Sequence, residues 1–470
     1  MIRRPIAALG AALLTWHAAL ALAQDRRNVV EPRWPPICHS LDAGVVVATG
    51  AGPETAIKPA DDAPTDTARI QDAINACPSG SGVELRSNGA RSGFIAAPFE
   101  LKSGVTLIVR AGAALFASRN PRDYDVRPGS CGLVDQSGRG CRPFIHVGVH
   151  DAAIMGDGVI DGRGGATLVG QEVSWWDLAQ QAKKNGGYQN VPRIIVADQA
   201  DNFVLYGITL RNSPNFHVLV SRTHGFTAWG VTIDAPRTAR NTDGIDPSSS
   251  TDVSIVYSQI RAGDDNMAIK AGAAGPASHI TVAHNHFYFG HGMSIGSETN
   301  GGVSSIDVHD LTIDGSDNGL RIKSNRSRGG IVQDVSYQDV CIRGVKNPIV
   351  LDSFYDRVMS GSLVPLFERV GLHGVRIFGG GTVTIAGADE EHAVDTRLDG
   401  VMFDSVAPTV HASHARVRFG PRPVNLSIAG PDVRVSAAGI DVQVTQAQDS
   451  NPAGDLLSCE GRFVEFRGTR

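Results

Sequence analysis

Charged residues are scarce in this sequence of 470 residues, since Asp, Glu, Lys and Arg together make up only 19%. Because 42% of the residues are hydrophobic and the formal net charge is −5, the composition excludes an intrinsically disordered chain. No run of Lys or Arg occurs, which argues against a nucleic-acid-binding arm. The 54 glycines and the excess of β-branched residues over Leu instead predict many short strands and turns.

Motifs of several common enzyme classes are also missing. The sequence has no G-x-S-x-G element, which would expose the nucleophile of a serine hydrolase. The glycines of residues 156–165 do not follow G-x-G-x-x-G, so they predict a turn rather than a nucleotide-binding loop. His284 and His286 have no evident third ligand, and no cysteine pair has zinc spacing. We therefore expect neither a metal nor a cofactor.

One long apolar run is present, at the start of the chain. Residues 1–23 begin with a basic pair, continue as an apolar stretch and end in A-L-A, a small-x-small cleavage pattern. A membrane anchor is the alternative, but the stretch is short and is interrupted by His17. The pattern predicts a signal peptide. The mature protein should start near Gln24, be exported through the periplasm and secreted, and form one domain, residues 24–470.

Export makes the six cysteines informative, because an oxidising compartment allows disulfides. Cys131 and Cys141 bracket one short loop and are expected to pair. Six cysteines allow fifteen connectivities, and the sequence does not choose among the rest. Our expectation joins Cys38 to Cys77 and Cys341 to Cys459.

Two helices are predicted among many strands. From Asp66 to Cys77, the apolar residues Ile70, Ile74 and Cys77 fall on one helical face, and Asp66 can cap the start. The segment WWDLAQQAKKNGG predicts a second helix that ends at Gly186. Its two tryptophans are expected to be buried rather than to stack on a sugar.

An internal repeat dominates the middle of the chain. Six segments align without gaps, 23 to 29 residues apart, and their eighth position is always apolar. Most units hold a second short strand, and such a unit cannot bury its inward face alone, whereas parallel stacking of units buries all of them. The repeat predicts an all-β fold, a right-handed parallel β-helix with the first helix as its N-terminal cap. A propeller blade needs more residues per unit, and an antiparallel sandwich would not give six in-phase units. The units start at Phe203, Phe226, Val253, Ile280, Ile306 and Val335.

Polar residues fall at similar offsets in four successive units, just before or within the second strand. Similar offsets on adjacent coils place side chains on one face, about 5 Å apart per coil. Carboxylates at this spacing suit a glycosidase, in which one protonates the leaving oxygen and another activates water. Taken singly, each motif is also typical of a solenoid turn, so their common register carries the inference. An Arg and a Lys two residues apart on a strand face the same way and form an anion receptor. The residues are Asn241, Asp243, Asp264, Asp265, His291, Arg321 and Lys323, with Asp246 as a supporting residue.

These motifs resemble those of the polygalacturonases, glycoside hydrolase family 28. The four signatures occur in the family's order as NTDG (241–244), GDD (263–265), GHG (290–292) and RIK (321–323). Further segments, SWWDLA, NSPNFHV and SCGLVDQSGRGC, resemble the secreted endo-polygalacturonases of plant-pathogenic bacteria. The resemblance extends from about Cys38 to Tyr355. Gly263 stands where many fungal and plant members have Gln, as it does in bacterial members.

The resemblance implies hydrolysis of α-1,4-linked galacturonan with inversion of configuration and no cofactor. Asp264 would protonate the glycosidic oxygen, Asp243 and Asp265 would hold and activate the attacking water, and His291 would support the acid or the sugar. The implied substrate-binding residues are Asn241, Arg321, Lys323 and Tyr355.

We therefore predict a secreted, monomeric endo-polygalacturonase whose partner is polygalacturonate, with no nucleic-acid or membrane partner. An exo-polygalacturonase or a rhamnogalacturonan hydrolase stays open, because the sequence does not show whether loops close one end of a cleft. A non-catalytic glycan-binding solenoid is disfavoured, since a binder of anionic glycan has no need for adjacent carboxylates. Pectate lyases share the β-helix but typically use Ca²⁺ and a base for β-elimination.

Overall fold

The computed structural model describes residues 24–48, 57, 62–437 and 456–468. The expected signal peptide lies outside these ranges. None of the helices within them has the length and apolar content needed to cross a bilayer.

The strands form three parallel ladders, so the chain folds as a parallel β-helix, as the repeat predicts. The first two ladders join into one sheet of 21 strands, because long strands such as Ala277–Phe287 run from one ladder into the other. The third ladder is a separate sheet of 11 strands. The core lies between the ladders and is continuous along the coils.

The strand bounds follow the coils in order. The first ladder contains Ile37–Asp42, Ser81–Arg86, Val105–Val109, Ala153–Gly156, Val204–Tyr206, His224–Trp229, Thr251–Val256, Ala277–Phe287, Val303–Asp314, Ile331–Arg343, Leu366–Phe378, Val394–Phe403, Ala415–Phe419 and Val433–Ala437. The second contains Arg91–Ala96, Ala114–Ala117, Val159–Asp161, Thr209–Arg211, Thr232–Asp234 and Gln259–Arg261, with Val45–Val46 antiparallel to the first of these. The third contains Phe99–Glu100, Ile145–Val147, Ile195–Asp198, Val218–Ser221, Ile245–Ser248, Met267–Ile269, Met293–Ile295, Asn318–Lys323, Asn347–Asp352, Thr382–Ala386 and Thr409–Ser413. Leu133–Asp135 and Tyr188–Asn190 form a small antiparallel pair, and Pro121–Tyr124 and Tyr355–Arg357 are short 3₁₀ helices.

The pairing register confirms the alignment of the six repeats. The residues at the eighth position pair with one another from coil to coil and are fully buried. Each such side chain contributes about 1.5–3 kcal/mol by leaving water, which a single coil could not achieve alone. The row consists of Leu210, Ile233, Ile260, Phe287, Ile313 and Ile342.

The first helix, α1 (Thr67–Ala76), lies at the N-terminal end of the β-helix, as expected. Its buried residues Ile70 and Ile74 belong to the same core as the first coils. Asp66 is the N-cap residue, but its carboxylate does not cap the helix. It accepts hydrogen bonds from the Ile95 amide and from Arg69 instead, so the predicted side-chain cap is wrong.

The second helix, α2 (Trp175–Asn185), has the predicted ends. Ser174 and Asp177 form a capping box, and Gly186 ends the helix at a φ of 71°, which glycine adopts without strain. Trp175 is fully buried, as expected, and Trp176 is partly buried, with its Nε1 donating to the Ser213 carbonyl.

The three expected disulfides are present. Cys38–Cys77 ties the first strand to the end of α1, and Cys131–Cys141 closes a short loop. Cys341–Cys459 fastens the C-terminal segment, residues 456–468, to the long strand Ile331–Arg343.

Candidate active site

The third ladder places the acidic and His motifs in one row. Asp243, Asp265 and His291 occupy the same place on three successive coils, each two residues before an apolar residue that faces the core. Those apolar residues pair across the ladder. The row therefore advances by about 4.8 Å per coil, and Asp264 lies beside Asp265 within it.

Asp264 is the most accessible of the three expected catalytic carboxylates. Its side chain is 19% exposed, compared with 5% for Asp243 and 2% for Asp265. One carboxylate oxygen lies 3.1 Å from Nδ1 of His291, and the other accepts a 3.3 Å hydrogen bond from the Asn241 amide. Burial raises the pKa of Asp264, but the hydrogen bond and charge of His291 help to outweigh burial, so the pKa lies below its ordinary value.

Asp265 lies inside a cage of donors. Lys323 donates to one carboxylate oxygen at 2.8 Å, while Ser294 donates to the other at 3.0 Å and Arg321 also binds it. Arg321 reaches Ser294 as well, at 2.9 Å. Burial alone would raise the pKa of Asp265, but the charges of Arg321 and Lys323 hold it well below its usual range. The predicted anion receptor, Arg321 with Lys323, therefore already binds the carboxylate of Asp265. Some N–H donors of the two cations remain unused.

Asp243 lies in a different environment. Its side chain is buried, and Lys270 is 3.5 Å from its carboxylate but only 2.5 Å from that of the fully buried Asp246. Burial, together with the charges of Asp246 and Asp264, raises the pKa of Asp243 well above its ordinary value. Of the three carboxylates, Asp243 therefore keeps its proton to the highest pH, whereas the family resemblance gives the acid role to Asp264.

The two remaining predicted residues lie at the edges of this cluster. Asn241 has a φ of 56°, and its side-chain oxygen accepts a 2.9 Å hydrogen bond from Gln189. The Tyr355 ring lies 5.1 Å from the ammonium of Lys323. The structure thus brings all eight predicted site residues into one group along the third ladder.

Three further residues of the site were not predicted from the sequence: Ser294, Lys270 and Gln189. Ser294 pairs with Arg321 across the ladder, and Lys270 occupies on its own coil the place of Lys323. The same strand register that indicated Arg321 and Lys323 could therefore also have indicated Ser294 and Lys270. Gln189 comes from the antiparallel pair outside the repeat, and no pattern in the sequence indicated it.

A metal ion does not fit this group well. Among the described residues, Asp264, Asp265 and His291 offer ligand atoms within 4.8 Å of one another. However, the Asp265 oxygens accept from Arg321 and Lys323, so a cation would meet two positive charges there. The donor set suits an incoming anion.

Comparison with known proteins identifies the chain's relatives. The family model for glycosyl hydrolases family 28 matches residues 99–397. A polygalacturonase from Ralstonia solanacearum is 38% identical over 94% of this chain and 93% of its own length. An endo-polygalacturonase from Pectobacterium parmentieri is 42% identical over 85% of this chain and 95% of its own length. The solved polygalacturonase of Erwinia carotovora ssp. carotovora superposes with a TM-score of 0.75 at 40% identity, covering 84% of this chain and all of that one.

Proposed function

Because this chain belongs to glycosyl hydrolases family 28, we propose that it is a polygalacturonase acting in endo mode on de-esterified pectin, with inversion of configuration. The observation that carries the proposal is the partly exposed carboxyl of Asp264 next to Asp265, whose own carboxylate binds the buried cations Arg321 and Lys323. The relatives named polygalacturonase and endo-polygalacturonase, which align over nearly their whole length, support the same activity.

The cation pair explains why the sugar would be a uronate. Arg321 carries five N–H donors and Lys323 three, and Asp265 and Ser294 use only some of them. The free donors can bind a galacturonate carboxylate in charge-assisted hydrogen bonds, which are stronger than the bonds that they could make to the hydroxyls of a neutral sugar. Tyr355, beside Lys323, and Asn241 would contact the same chain of sugars.

Asp264 would act as the general acid. Its exposure allows it to reach a glycosidic oxygen, which the more buried carboxylates do less readily. Its pKa is low because His291 binds it, but a uronate docked on Lys323 would bring a second negative charge close by. That charge raises the pKa of Asp264, so the proton is taken up as the substrate binds.

Asp243 and Asp265 would hold the attacking water. They occupy the same register on adjacent coils, about 4.8 Å apart, so both can hydrogen-bond one water molecule. Asp265, which its cations keep ionised, accepts the proton of the water as its oxygen bonds to the anomeric carbon. The glycosidic bond breaks, and the leaving oxygen takes the proton of Asp264, which gives inversion when the two events occur on opposite faces.

A second assignment, with Asp243 as the acid, is favoured by the raised pKa of Asp243. Asp264→Asn and Asp243→Asn would be compared on polygalacturonate and on an aryl oligogalacturonide, whose leaving group needs no protonation. If Asp264 is the acid, Asp264→Asn loses activity on the polymer and regains much of it on the aryl substrate. Recovery in Asp243→Asn instead would contradict this assignment.

The activity itself is tested by incubating the purified mature protein with polygalacturonic acid. Viscosity, product size and the ultraviolet absorbance of unsaturated sugars are followed together. A fast fall in viscosity with mixed saturated oligomers is expected. Mono- or digalacturonate with little change in viscosity would indicate an exo enzyme, and unsaturated products would indicate a lyase.

The protein is also proposed to be secreted as a monomer, with residues 24–470 as one catalytic domain. Three disulfides support an oxidising compartment. N-terminal sequencing and size-exclusion chromatography of protein from the culture medium would test both points. A mature sequence that still contains residues 1–23 would contradict signal-peptide removal.

A further inference from the structure

Arg193 lies in the same row as the candidate catalytic residues. It stands two residues before Ile195, the place that Phe216, Asp243, Asp265 and His291 occupy on the next four coils. Arg193 is therefore two coils, or about 10 Å, from Asp243. Arg321 and Lys323 lie on the other side, on the coil after His291. Cations thus flank the carboxylates at both ends of the row.

The guanidinium of Arg193 lacks the carboxylate partner that many other arginines among the described residues have. Arg163 and Arg261, for example, bind carboxylates at 2.6 and 2.5 Å. Within the described residues, no carboxylate forms an ion pair with Arg193, and its Nε is buried without a hydrogen-bond partner. Its main neighbour is the Phe216 ring, 4.9 Å away.

That ring contact does not satisfy the arginine. A cation–π contact uses the charge but leaves the N–H donors of the guanidinium unpaired. The Phe216 ring also has the Lys270 ammonium 4.2 Å from its centre, so two cations share one aromatic side chain. Burial lowers the pKa of Arg193. The charges of Asp246 and Asp243 act in the opposite direction but do not outweigh burial. The site is built to receive an anion.

We propose that Arg193 is a second uronate-binding residue, which takes a substrate carboxylate on the side of the catalytic row opposite Arg321 and Lys323. This inference rests on the proposed function and deepens it. The planar guanidinium matches a carboxylate through two parallel hydrogen bonds. Recognition at both ends of the row would require free carboxylates on both sides of the bond that is cut, so methyl esters at either place would weaken binding.

The test compares Arg193→Gln with the parent enzyme and with Arg434→Gln. Arg434 is a matched control, because it is exposed on the first ladder, where it pairs with Glu390. KM for polygalacturonate should rise roughly tenfold in Arg193→Gln, as expected for one lost charge-assisted pair, with a smaller change in kcat. Arg193→Lys keeps the positive charge but loses the planar guanidinium with its parallel N–H donors. Its KM should therefore lie between those of the parent and Arg193→Gln. Arg434→Gln should match the parent.

Substrate length separates binding from a merely structural role. The ratio of variant KM to parent KM should be large for hexagalacturonate and fall toward one for trigalacturonate, which is too short to reach Arg193 from the cleavage point in most of its binding modes. An equal rise on both substrates, or no rise in a variant with the parent's thermal unfolding, would overturn the proposal.

Direct binding distinguishes this inference from the proposed function. Calorimetric affinity for hexagalacturonate, measured with Asp264→Asn present to prevent hydrolysis, should fall by the same roughly tenfold factor when Arg193→Gln is added. A parent protein that binds the oligomer without hydrolysing it would contradict the proposed function alone. Equal affinities of Asp264→Asn with and without Arg193→Gln would contradict only the role of Arg193.

Discussion

Replacing Lys270 by Met should destabilise the protein strongly. Lys270 lies 2.5 Å from Asp246, which is fully buried, and 3.5 Å from Asp243, while its own side chain is only 16% exposed. Removing one partner of a buried ion pair leaves the other charge without compensation, which costs about 3–5 kcal/mol. The free energy of unfolding, measured by urea titration at neutral pH, should fall by about that amount.

Lys346→Met provides the matched control for this substitution. Lys346 forms an ion pair of similar length, 3.0 Å, with Asp317, but its side chain is 76% exposed. Exposed pairs contribute about 0–1 kcal/mol, so this variant should lose little stability. Equal losses in Lys270→Met and Lys346→Met would refute the argument that burial makes the Lys270 pair important.

A second substitution and a change of pH both test whether the loss of stability in Lys270→Met is electrostatic in origin. Adding Asp246→Asn to Lys270→Met removes the stranded charge and should restore part of the stability. Burial raises the pKa of Asp246, so without Lys270 its carboxyl takes a proton more readily in the folded than in the unfolded chain. The deficit of Lys270→Met should therefore be largest at neutral pH and shrink as pH falls. A pH-independent deficit would point to lost packing instead.

Three further outcomes are expected of the active enzyme. His291→Ala should move the alkaline limb of the kcat/KM profile to higher pH, because loss of the hydrogen bond raises the pKa of Asp264, the proposed acid. A shift of the acidic limb alone would contradict that role. Lys323→Met should raise KM and also move the acidic limb to higher pH, because Asp265, the proposed base, loses a cation that lowers its pKa. An unchanged acidic limb would argue against Asp265 as the base. Activity should persist in excess EDTA, and its loss would mean that a metal ion takes part.

The repeat by itself determined the architecture of this protein. In a parallel β-helix each coil pairs only with its neighbours. The local sequence therefore determines the period of the repeat and the pairing register of the strands. The sequence alone therefore aligns the apolar eighth positions, from Leu210 to Ile342, in the register that the strands adopt. The same register brought Asp243, Asp265 and His291 to one face, because residues at equal places on adjacent coils must be neighbours.

Only the tertiary structure decided how the three carboxylates differ. Asp243 and Asp265 are alike in sequence and in register, yet the pKa of one is raised and that of the other lowered. The difference arises from burial and from nearby charges: Asp246 on the same coil and Asp264 on the next act on Asp243, whereas Arg321 and Lys323 act on Asp265. Arg321 and Lys323 are 56 and 58 positions away from Asp265 in the chain, and a repeat pattern does not encode how strongly such charges act across space. The unpaired guanidinium of Arg193 became visible for the same reason, since a missing partner is a property of the whole surrounding fold.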